Sequence, residues 1–434
     1  MKKHIAKAMA LLMALTMVLL VSGCSRSYPT KNVTAPDTDG WKTNYTWVFC
    51  HGLSGWGSYD DQYERLPYWG MFNGNALLAL NDMGFDCYAA SVDPQGSAWD
   101  RACELYAQLT GTRVDYGKVH SEKHVHQRYG EDFTGRALIK KWSAEDKINL
   151  VGHSFGGATT RLLIELMTNG SEEEMAATKK DDISPLFTGG KGDWIYSVTS
   201  LAAPHNGTTA YNTPEGFDES LTAWQKLNAK MLGRFTSGAA GDAGYPRTAD
   251  DYAHHDLQID YALELNETIG TYDNLWYFSV PCNATVKQED GTWFPDKKLM
   301  ETTMINGGIK MGKTVGKTKG GFEFDKKWLP NDGLVNTISA TAPFNAPSKL
   351  FDPAKSKLAA VKPGVWNVFP TYIGDHMSVS GGLTHRNDVL PLYLSFMNTV
   401  NQLDPDALGK GKNTNTPNWL ADLNLKPVED KDAA

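Results

Sequence analysis

The sequence predicts an α/β fold in which a mostly parallel sheet is flanked by helices. Apolar runs typical of β-strands alternate along the chain with segments of helical periodicity, and this alternation indicates a parallel sheet with helical crossovers. The sharpest change of period falls at residues 147–170, where a buried strand runs into a helix. With 434 residues and 41% hydrophobic content the chain can form a large core, and its formal net charge of −8 argues against a nucleic-acid partner.

The stretch at 147–170 reads KINLVGHSFGGATTRLLIELMTNG and contains the pattern G-x-S-x-G, formed by Gly152, Ser154 and Gly156. In a nucleophile elbow, glycines two residues before and after the serine let strand and helix pass close together. The pattern therefore predicts that Ser154 is a nucleophile at the top of the sheet, where the next amide and the helix N-terminus can stabilise an oxyanion. An ordinary turn between strand and helix is the alternative.

The N-terminal residues 1–23 are predicted to be a signal peptide rather than part of the fold. Three early lysines precede the apolar segment Ala8–Val21, which is short for a membrane-spanning helix. Val21-Ser22-Gly23-Cys24 resembles a bacterial lipobox, so Cys24 would be the lipidated first residue of a mature chain anchored to the extracytoplasmic face of a membrane. Ordinary secretory cleavage is the alternative. Residues 24–40, rich in Ser, Thr, Pro and Asp, are predicted to be a tether.

Residues 41–400 are predicted to form one catalytic domain, and residues 401–434 a C-terminal extension. The β-type run at 45–50 leads into HGLSGWG, whose glycines suit a loop that must aim a backbone amide at a substrate, although a simple glycine-rich turn would look similar. A mixed amphipathic and glycine-rich segment at 209–250 lies where such folds insert a lid. Further elements are predicted in this order: a helix at 75–83, a strand at 87–92, a helix at 98–109, and strands at 194–203 and 275–280.

A serine nucleophile needs an acid and a histidine, which follow it in that order in folds of this type. Of the eleven histidines only His376 and His385 come late enough. His376 follows an apolar run, whereas His385 opens a predicted helix and is expected at the surface. Asp332, on a tight turn in LPNDGLV, is the predicted acid, with Asp325 and Asp375 as competitors.

A second group of candidate site residues lies in WDRACE and in VHSEKHVH, at positions 99–104 and 119–126. Three histidines within seven residues, with Asp100 nearby, could form a closed four-ligand zinc site. Spacing alone favours His120 and His124 as a helical pair, and the segment 253–257 (AHHDL) could supply a fourth ligand. A solvated histidine-rich loop is the alternative.

The remaining cysteines, Cys50, Cys87, Cys103 and Cys282, could form two disulfides in an oxidising compartment or none.

Several segments together resemble the zinc-containing true-lipase family, the triacylglycerol lipases of thermophilic bacilli and staphylococci, within the α/β-hydrolase superfamily. The likeness runs in order from about residue 45 to 394. It is carried by VFCHGLSGWG, PYWG, WDRACELYAQLTGTRVDYGKVHSEKHVHQRYG, VGHSFGG, SPLF, APHNGTT, LPNDGLVNT and YIGDHMSV.

The resemblance assigns a role to individual positions. It implies a catalytic triad, an oxyanion hole built from two backbone amides, and a structural zinc site in which His126 replaces His124. The residues that it selects are Ser154 as nucleophile, Asp332 as acid, His376 as base, the amides of Leu53 and Phe155 as the oxyanion hole, and Asp100, His120, His126 and Asp256 as zinc ligands.

The chain also departs from the family pattern. Family members bind calcium through carboxylates shortly after the catalytic histidine, but residues 377–384 (MSVSGGLT) contain none, so calcium is doubtful. The lid segment looks shorter than in thermophilic members, which puts interfacial activation and a preference for long acyl chains in question. The bacillus and staphylococcal lipases of this family are secreted, whereas a lipobox would tether this chain to a membrane.

Taken together, the residues and the resemblance predict a serine ester hydrolase that cleaves acylglycerols or related lipid esters through an acyl-enzyme. A carboxylesterase for short acyl esters is the first alternative. The second is a surface lipoprotein that keeps the hydrolase fold for binding and has lost catalysis. Partners would be the lipid ester and the membrane surface. Acyl length, physiological substrate and oligomeric state do not follow from the sequence.

Overall fold

The computed structural model describes residues 27–31, 33–211 and 248–417. The predicted signal peptide and Cys24, most of the predicted lid (212–247) and the end of the C-terminal extension (418–434) lie outside the described residues. Within the described residues, no helix is both long enough and apolar enough to span a bilayer.

A seven-stranded sheet forms the centre of the domain, and all its neighbouring strands are parallel. The strands are β1 Thr46–Cys50, β2 Cys87–Ala90, β3 Ile148–His153, β4 Ile195–Leu201, β5 Trp276–Val280, β6 Ser348–Leu350 and β7 Trp366–Val368. Their spatial order in the sheet is β6-β7-β5-β4-β3-β1-β2.

Every residue of β3, β4 and β5 is buried, because these central strands are covered on both faces. Their sequences are accordingly continuous runs of mainly apolar and β-branched residues rather than alternating patterns. β3 lies between β1 and β4, with Val151 opposite Phe49 on one side and Thr199 on the other. The carboxyl end of β3 therefore opens at the middle of the sheet edge, where ligand sites of open parallel sheets lie.

Helices cover both faces of this sheet. The described α-helices are α1 Ala76–Asp82, α2 Ala98–Thr110, α3 Lys118–His124, α4 Gly156–Asn169, α5 Glu172–Ala177, α6 Ala253–Asp256, α7 Ile259–Thr268, α8 Ile305–Met311 and α9 Leu390–Asn401. The side chains of α2 and α4 pack in one core layer with Val48 and Leu150, and those of α1 and α9 pack in the other with Trp47 and Phe49.

Among the described residues, short strands outside the central sheet form four two-stranded sheets. Antiparallel pairs join Arg113–Asp115 to Tyr129–Asp132, Thr285–Lys287 to Trp293–Pro295, and Gly316–Lys317 to Glu323–Phe324, and a parallel pair joins Cys282–Asn283 to Tyr372–Ile373.

The predicted fold class is confirmed, and the elements of the first half end within two residues of the predicted bounds. One prediction about the second half is wrong. His385 does not open a helix, because α9 begins only at Leu390 and the chain before it is a loop. The four cysteines of the domain are buried free thiols, so the structure contains no disulfide among them.

Both ends of the described chain pack against the domain. Tyr28, inside the predicted tether, is buried, and its hydroxyl donates to Asp388 while accepting the amide of Val389. At the other end, the amide of Thr414 donates to the carbonyl of Thr271. Tyr28 therefore fixes the start of the described tether to the domain, and the first part of the predicted extension packs against it as well.

Candidate active site and metal centre

Ser154 lies on the turn between β3 and α4 with a φ angle of 54°, in the left-handed region that non-glycine residues rarely adopt. The two glycines of the pattern are required by close backbone approaches. A Cβ atom on Gly152 would lie 2.5 Å from the carbonyl oxygen of Gly156, and one on Gly156 would lie 2.3 Å from that of Cys50. Strand and helix therefore force the serine into the strained turn that a nucleophile elbow needs.

Asp332 and His376, far apart in sequence, meet in a buried pair beside this end of the sheet. The Nδ1 atom of His376 lies 2.8 Å from Oδ2 of Asp332, and the His376 amide also donates to the Asp332 carbonyl. The other carboxylate oxygen of Asp332 accepts the amides of Leu334 and Val335. Because Nδ1 is held by the carboxylate, Nε2 of His376 is the nitrogen that remains for proton transfer.

The competing residues are occupied elsewhere. Asp325 accepts the amide of Lys327 at the start of a short helical turn. Asp375 accepts the amides of Glu301, Met377 and Ser378. The structure therefore pairs the predicted acid with the predicted base.

The loop after β1 lies directly against the nucleophile. A Cβ atom on Gly52 would be 2.7 Å from Cβ and 3.2 Å from Oγ of Ser154, so only glycine fits there. Nδ1 of His51 donates to the Gly52 carbonyl at 2.8 Å, since its Nε2 atom accepts the amide of Val92. In a trans peptide the N–H points opposite the C=O, so this bond fixes the direction of the Leu53 amide.

Arg101, which sequence reasoning did not select, braces this loop from α2. Its fully buried guanidinium donates to the carbonyl oxygens of His51 and Asp93, and its Nε atom donates to Thr159. Burial, together with the charge of Arg101, lowers the pKa of His51 to about 3, so His51 stays neutral. Arg101 carried no clear signal in the sequence, because the same helix face also carries the buried polar residues Glu104 and Gln108.

The amides of Leu53 and Phe155 make no hydrogen bond with any other described residue. Two such amides, one in the loop that packs against the serine and one on the next residue, suit an oxyanion hole. No hydrogen bond joins Ser154 Oγ to the His376 ring among the described residues. Such contacts are often long without substrate and shorten when it binds.

A second cluster lies on the α2 side of the sheet, where side chains from three segments bring metal-ligating atoms within 4.8 Å of one another. Nε2 of His120 is 3.0 Å from Oδ1 of Asp100 and 3.3 Å from Oδ1 of Asp251, while Nε2 of His126 is 3.4 Å from Oδ2 of Asp251. Burial alone would lower the pKa of His120, but Asp100 and Asp251 raise it to about 9. The cluster consists of Asp100, His120, His126 and Asp251.

This cluster corrects two predictions. His124, favoured by spacing, lies outside it, because its Nδ1 atom is 2.7 Å from the hydroxyl of Thr248. Asp256, the fourth ligand implied by the resemblance, is also outside, because its carboxylate accepts the amide of Ala98 at the start of α2. Asp251 takes the fourth position, since its neighbour Tyr252 pairs with Gly96 next to α2.

The residues of the cluster fit a bound zinc ion. Nε2 of His126 and both carboxylate oxygens of Asp251 are buried and make no hydrogen bond of good geometry among the described residues, although Asp251 lies 3.3 Å from the His120 ring and 3.4 Å from the His126 ring. Buried polar atoms are normally paired, so these atoms point to a missing ligand. Two imidazoles with two carboxylates suit zinc in a closed site that leaves no position for substrate.

The ligands are held in place by neighbours from other elements. The indole of Trp99 stacks on the His120 ring with centroids 5.1 Å apart. The buried carboxylate of Glu174 accepts the amides of Lys118, Val119 and His120 at the start of α3. Supporting contacts of this kind orient metal ligands. Glu174 gave no signal in the sequence.

A further cluster of acidic and imidazole groups, formed by Glu301, Asp375 and His385, lies next to the catalytic candidates. Its oxygens are already occupied, because one oxygen of Glu301 accepts the amides of Leu383, Thr384 and His385 and the other accepts the Thr384 hydroxyl. Burial alone would raise the pKa of Glu301, but these bonds lower it. The Glu301 carboxylate therefore holds the loop at residues 383–385 in place. The statement that calcium is doubtful remains a prediction.

Known proteins resemble this chain over most of its length. A family model described as the lipase-like C-terminal domain matches residues 43–235. Lipase 1 of Staphylococcus aureus is 32% identical over 361 residues, or 77% of this chain, and a lipase of Staphylococcus epidermidis is 33% identical over 368 residues, or 79%. The chain spans about half the length of these curated relatives, 50% in both cases.

Solved structures show the same likeness over the whole fold. EstA from Clostridium botulinum superimposes with a TM-score of 0.73 at 30% identity, covering 89% of this chain and 93% of that one. Staphylococcus hyicus lipase gives a TM-score of 0.70 at 29% identity, and the match covers 85% of this chain and 98% of that one. Lipase 1 from Pelosinus fermentans gives a TM-score of 0.67 at 30% identity, and the match covers 83% of this chain and 99% of that one.

Proposed function

Because the chain belongs to the bacterial true-lipase family, we propose that it hydrolyses carboxylic esters of lipids through an acyl-enzyme on Ser154. The observation that carries the proposal is the buried pair of His376 and Asp332 beside a serine held at a φ angle of 54°. A strained serine next to a carboxylate-held imidazole is the arrangement that activates a hydroxyl nucleophile.

The proposed reaction has two halves. In the first, Nε2 of His376 takes the proton of Ser154 Oγ while Oγ bonds to the ester carbonyl carbon, and the amides of Leu53 and Phe155 stabilise the oxyanion. Collapse breaks the bond to the alcohol, which leaves with the proton from His376. In the second half, His376 takes a proton from water while the water oxygen bonds to the acyl carbon. The bond to Ser154 Oγ then breaks, Oγ takes the proton back from His376, and the carboxylic acid is released. Asp332 holds the imidazole tautomer throughout.

A panel of esters tests this function and separates it from its alternatives. Hydrolysis rates are measured for p-nitrophenyl esters of rising chain length and for emulsified triglyceride, with Ser154→Ala as the control. A lipase cleaves the emulsion and long esters, whereas the alternative, a short-chain carboxylesterase, cleaves only the short soluble ones. No hydrolysis of any ester by the wild type would contradict catalysis and favour the non-catalytic binding lipoprotein.

The second proposal is that Asp100, His120, His126 and Asp251 hold one structural zinc ion. Support comes from the buried atoms of His126 and Asp251, which lie 3.4 Å apart without a hydrogen bond of good geometry. A bound zinc would supply folding stability by cross-linking three segments, since a site with four protein ligands has no open position for substrate.

The third proposal concerns location, and it rests on the sequence alone because Cys24 lies outside the described residues. The chain would be exported and anchored through a lipid on Cys24, with secretion as the alternative. Membrane fractionation of wild type and Cys24→Ala tests it. The wild type should sediment with membranes, and recovery wholly in the supernatant with Ser25 or a later residue at its N-terminus would contradict the anchor.

A further inference from the structure

A chain of three hydrogen bonds runs beneath the candidate active site. The amide of Gly52 donates to the Tyr68 hydroxyl at 3.2 Å, that hydroxyl lies 2.6 Å from Nδ1 of His153, and Nε2 of His153 lies 2.9 Å from the carbonyl oxygen of His376. Tyr68, His153 and His376 are all buried. Neither Tyr68 nor His153 has a part in the reaction proposed above.

Only one arrangement of protons satisfies this chain. A carbonyl oxygen can only accept, so Nε2 of His153 carries the proton and donates to His376. Nδ1 of the neutral ring must then accept, and the Tyr68 hydroxyl donates to it while its oxygen accepts the Gly52 amide. Burial lowers the pKa of His153 well below its ordinary value, and the nearby His376 lowers it further, so the ring stays neutral.

Three members of the chain belong to the three parts of the site. Gly52 precedes Leu53, whose amide faces the oxyanion, His153 precedes Ser154 on the elbow, and His376 is the base. From this geometry we propose that Tyr68 and His153 are positioning residues, which set the oxyanion loop, the nucleophile and the base at fixed distances from one another. The inference rests on the proposed ester hydrolysis.

Rigid packing makes the chain suited to this task. The Tyr68 ring contacts the rings of Trp56 and Trp69 edge to face, with centroids 5.4 Å and 5.2 Å apart. The rings of His153 and His376 lie 4.9 Å apart. With the ring fixed, loss of the hydroxyl alone would leave the buried Gly52 amide without its acceptor, and the loop that carries Leu53 would move. Displacements near 1 Å in such loops lower rates roughly 100-fold.

The test is Tyr68→Phe, which removes the hydroxyl and keeps the ring. With p-nitrophenyl butyrate we expect kcat to fall roughly 10- to 100-fold with KM little changed, because the defect appears as the oxyanion forms. The matched control is Tyr196→Phe on β4. It also loses one buried hydroxyl bond, to the Leu403 carbonyl at 2.8 Å, but lies at the other end of the sheet. Its kcat should match the wild type even where its Tm is lower.

A double variant tests whether the two residues act as a unit. Tyr68→Phe combined with His153→Leu should be little slower than the slower single variant, since residues of one network are not additive. Wild-type kcat in Tyr68→Phe, equal kcat losses in Tyr68→Phe and Tyr196→Phe, or losses that multiply in the double variant would each overturn the inference. A wild type without esterase activity, or an active Ser154→Ala variant, would instead overturn the proposed function and the inference with it.

Discussion

At the scale of single residues, the two nitrogens of His376 have different partners. Nδ1 is held by Asp332, and Nε2 faces away from that carboxylate. The ring of His385 lies in the neighbouring loop, where its Nδ1 atom is 3.7 Å from Glu301. His385 thus also has a carboxylate beside it. However, His385 lies in the loop held by Glu301 and is not part of the His376–Asp332 pair beside the elbow.

Replacement of His376 and His385 by alanine separates the two histidines. His376→Ala should lower kcat about 10⁴-fold or more, because a triad acts as a unit and the loss approaches that of Ser154→Ala. His385→Ala should stay within a few-fold of the wild type. Both are measured with p-nitrophenyl butyrate at neutral pH. Equal losses, or a larger loss in His385→Ala, would contradict the assignment of the base.

Residues in short local patterns were predictable from the sequence, and residues joined by long-range contacts were less so. The elbow at Ser154 follows from the glycine spacing together with the strand before it and the helix after it, and the approach of Gly152 to Gly156 is itself local. Asp332 and His376 required the order of residues in a known fold. Tyr68 lies in PYWG, one of the segments that carry the resemblance, but the segment does not predict its role, because that role depends on contacts with Gly52 and His153.

At the scale of elements, α2 connects the two candidate sites. Asp100 faces the metal cluster, and the next residue, Arg101, binds the carbonyl of His51 in the oxyanion loop. The third contact is Ala98, whose amide is capped by Asp256. Any disorder of the start of α2 would therefore reach the oxyanion loop, so activity lost on metal removal should follow loss of structure.

Matched variants of the metal cluster test the proposed ligands. His126→Ala and Asp251→Asn should each lower both the zinc content, from about one per chain, and the Tm, because a ligand of the closed site is lost. His124→Ala and Asp256→Asn should keep the metal, and Asp256→Asn keeps an acceptor for the Ala98 amide. The measurements are metal analysis and thermal unfolding of protein purified without chelator.

Two results would contradict this assignment. One is the absence of zinc from the wild type, and the other is zinc that depends on His124 or Asp256 rather than on His126 and Asp251. The sequence could not choose between Asp251 and Asp256, since both are aspartates near one histidine pair. The choice is made by the pairing of Tyr252 with Gly96, a contact between segments about 150 residues apart.

At the scale of the whole molecule, several buried histidines make the fold sensitive to acid. Burial lowers the pKa of His51 to about 3 and the pKa values of His153 and His205 well below the ordinary value. Below about pH 6.5 the unfolded chain binds protons at these residues and the folded chain does not. The stability contributed by keeping these three residues neutral is therefore full above that pH, and below it each of them lowers the free energy of unfolding by about 1.4 kcal/mol per pH unit. Asp60 opposes this in part, because burial raises its pKa to about 6.

His205→Leu tests this effect with little other change. Neither ring nitrogen of His205 has a hydrogen-bond partner among the described residues, and the ring packs on Trp366 with centroids 4.5 Å apart. The Tm of the variant should be close to that of the wild type at pH 7.5 and higher at pH 5, since one proton-binding site of the unfolded chain is removed. If the Tm of the variant and the Tm of the wild type fall by the same amount from pH 7.5 to pH 5, the account is contradicted.

The central claim is that Ser154 is the nucleophile of an ester hydrolase, and covalent labelling tests it most directly. A p-nitrophenyl phosphonate ester forms a stable bond to an activated serine and occupies its oxyanion hole. Peptide mass spectrometry should find the adduct on the segment that contains Ser154, with p-nitrophenol released in an equal amount. Labelling should be lost in Ser154→Ala and slow strongly in His376→Ala. An adduct on another serine, or undiminished ester hydrolysis by Ser154→Ala, would contradict the account.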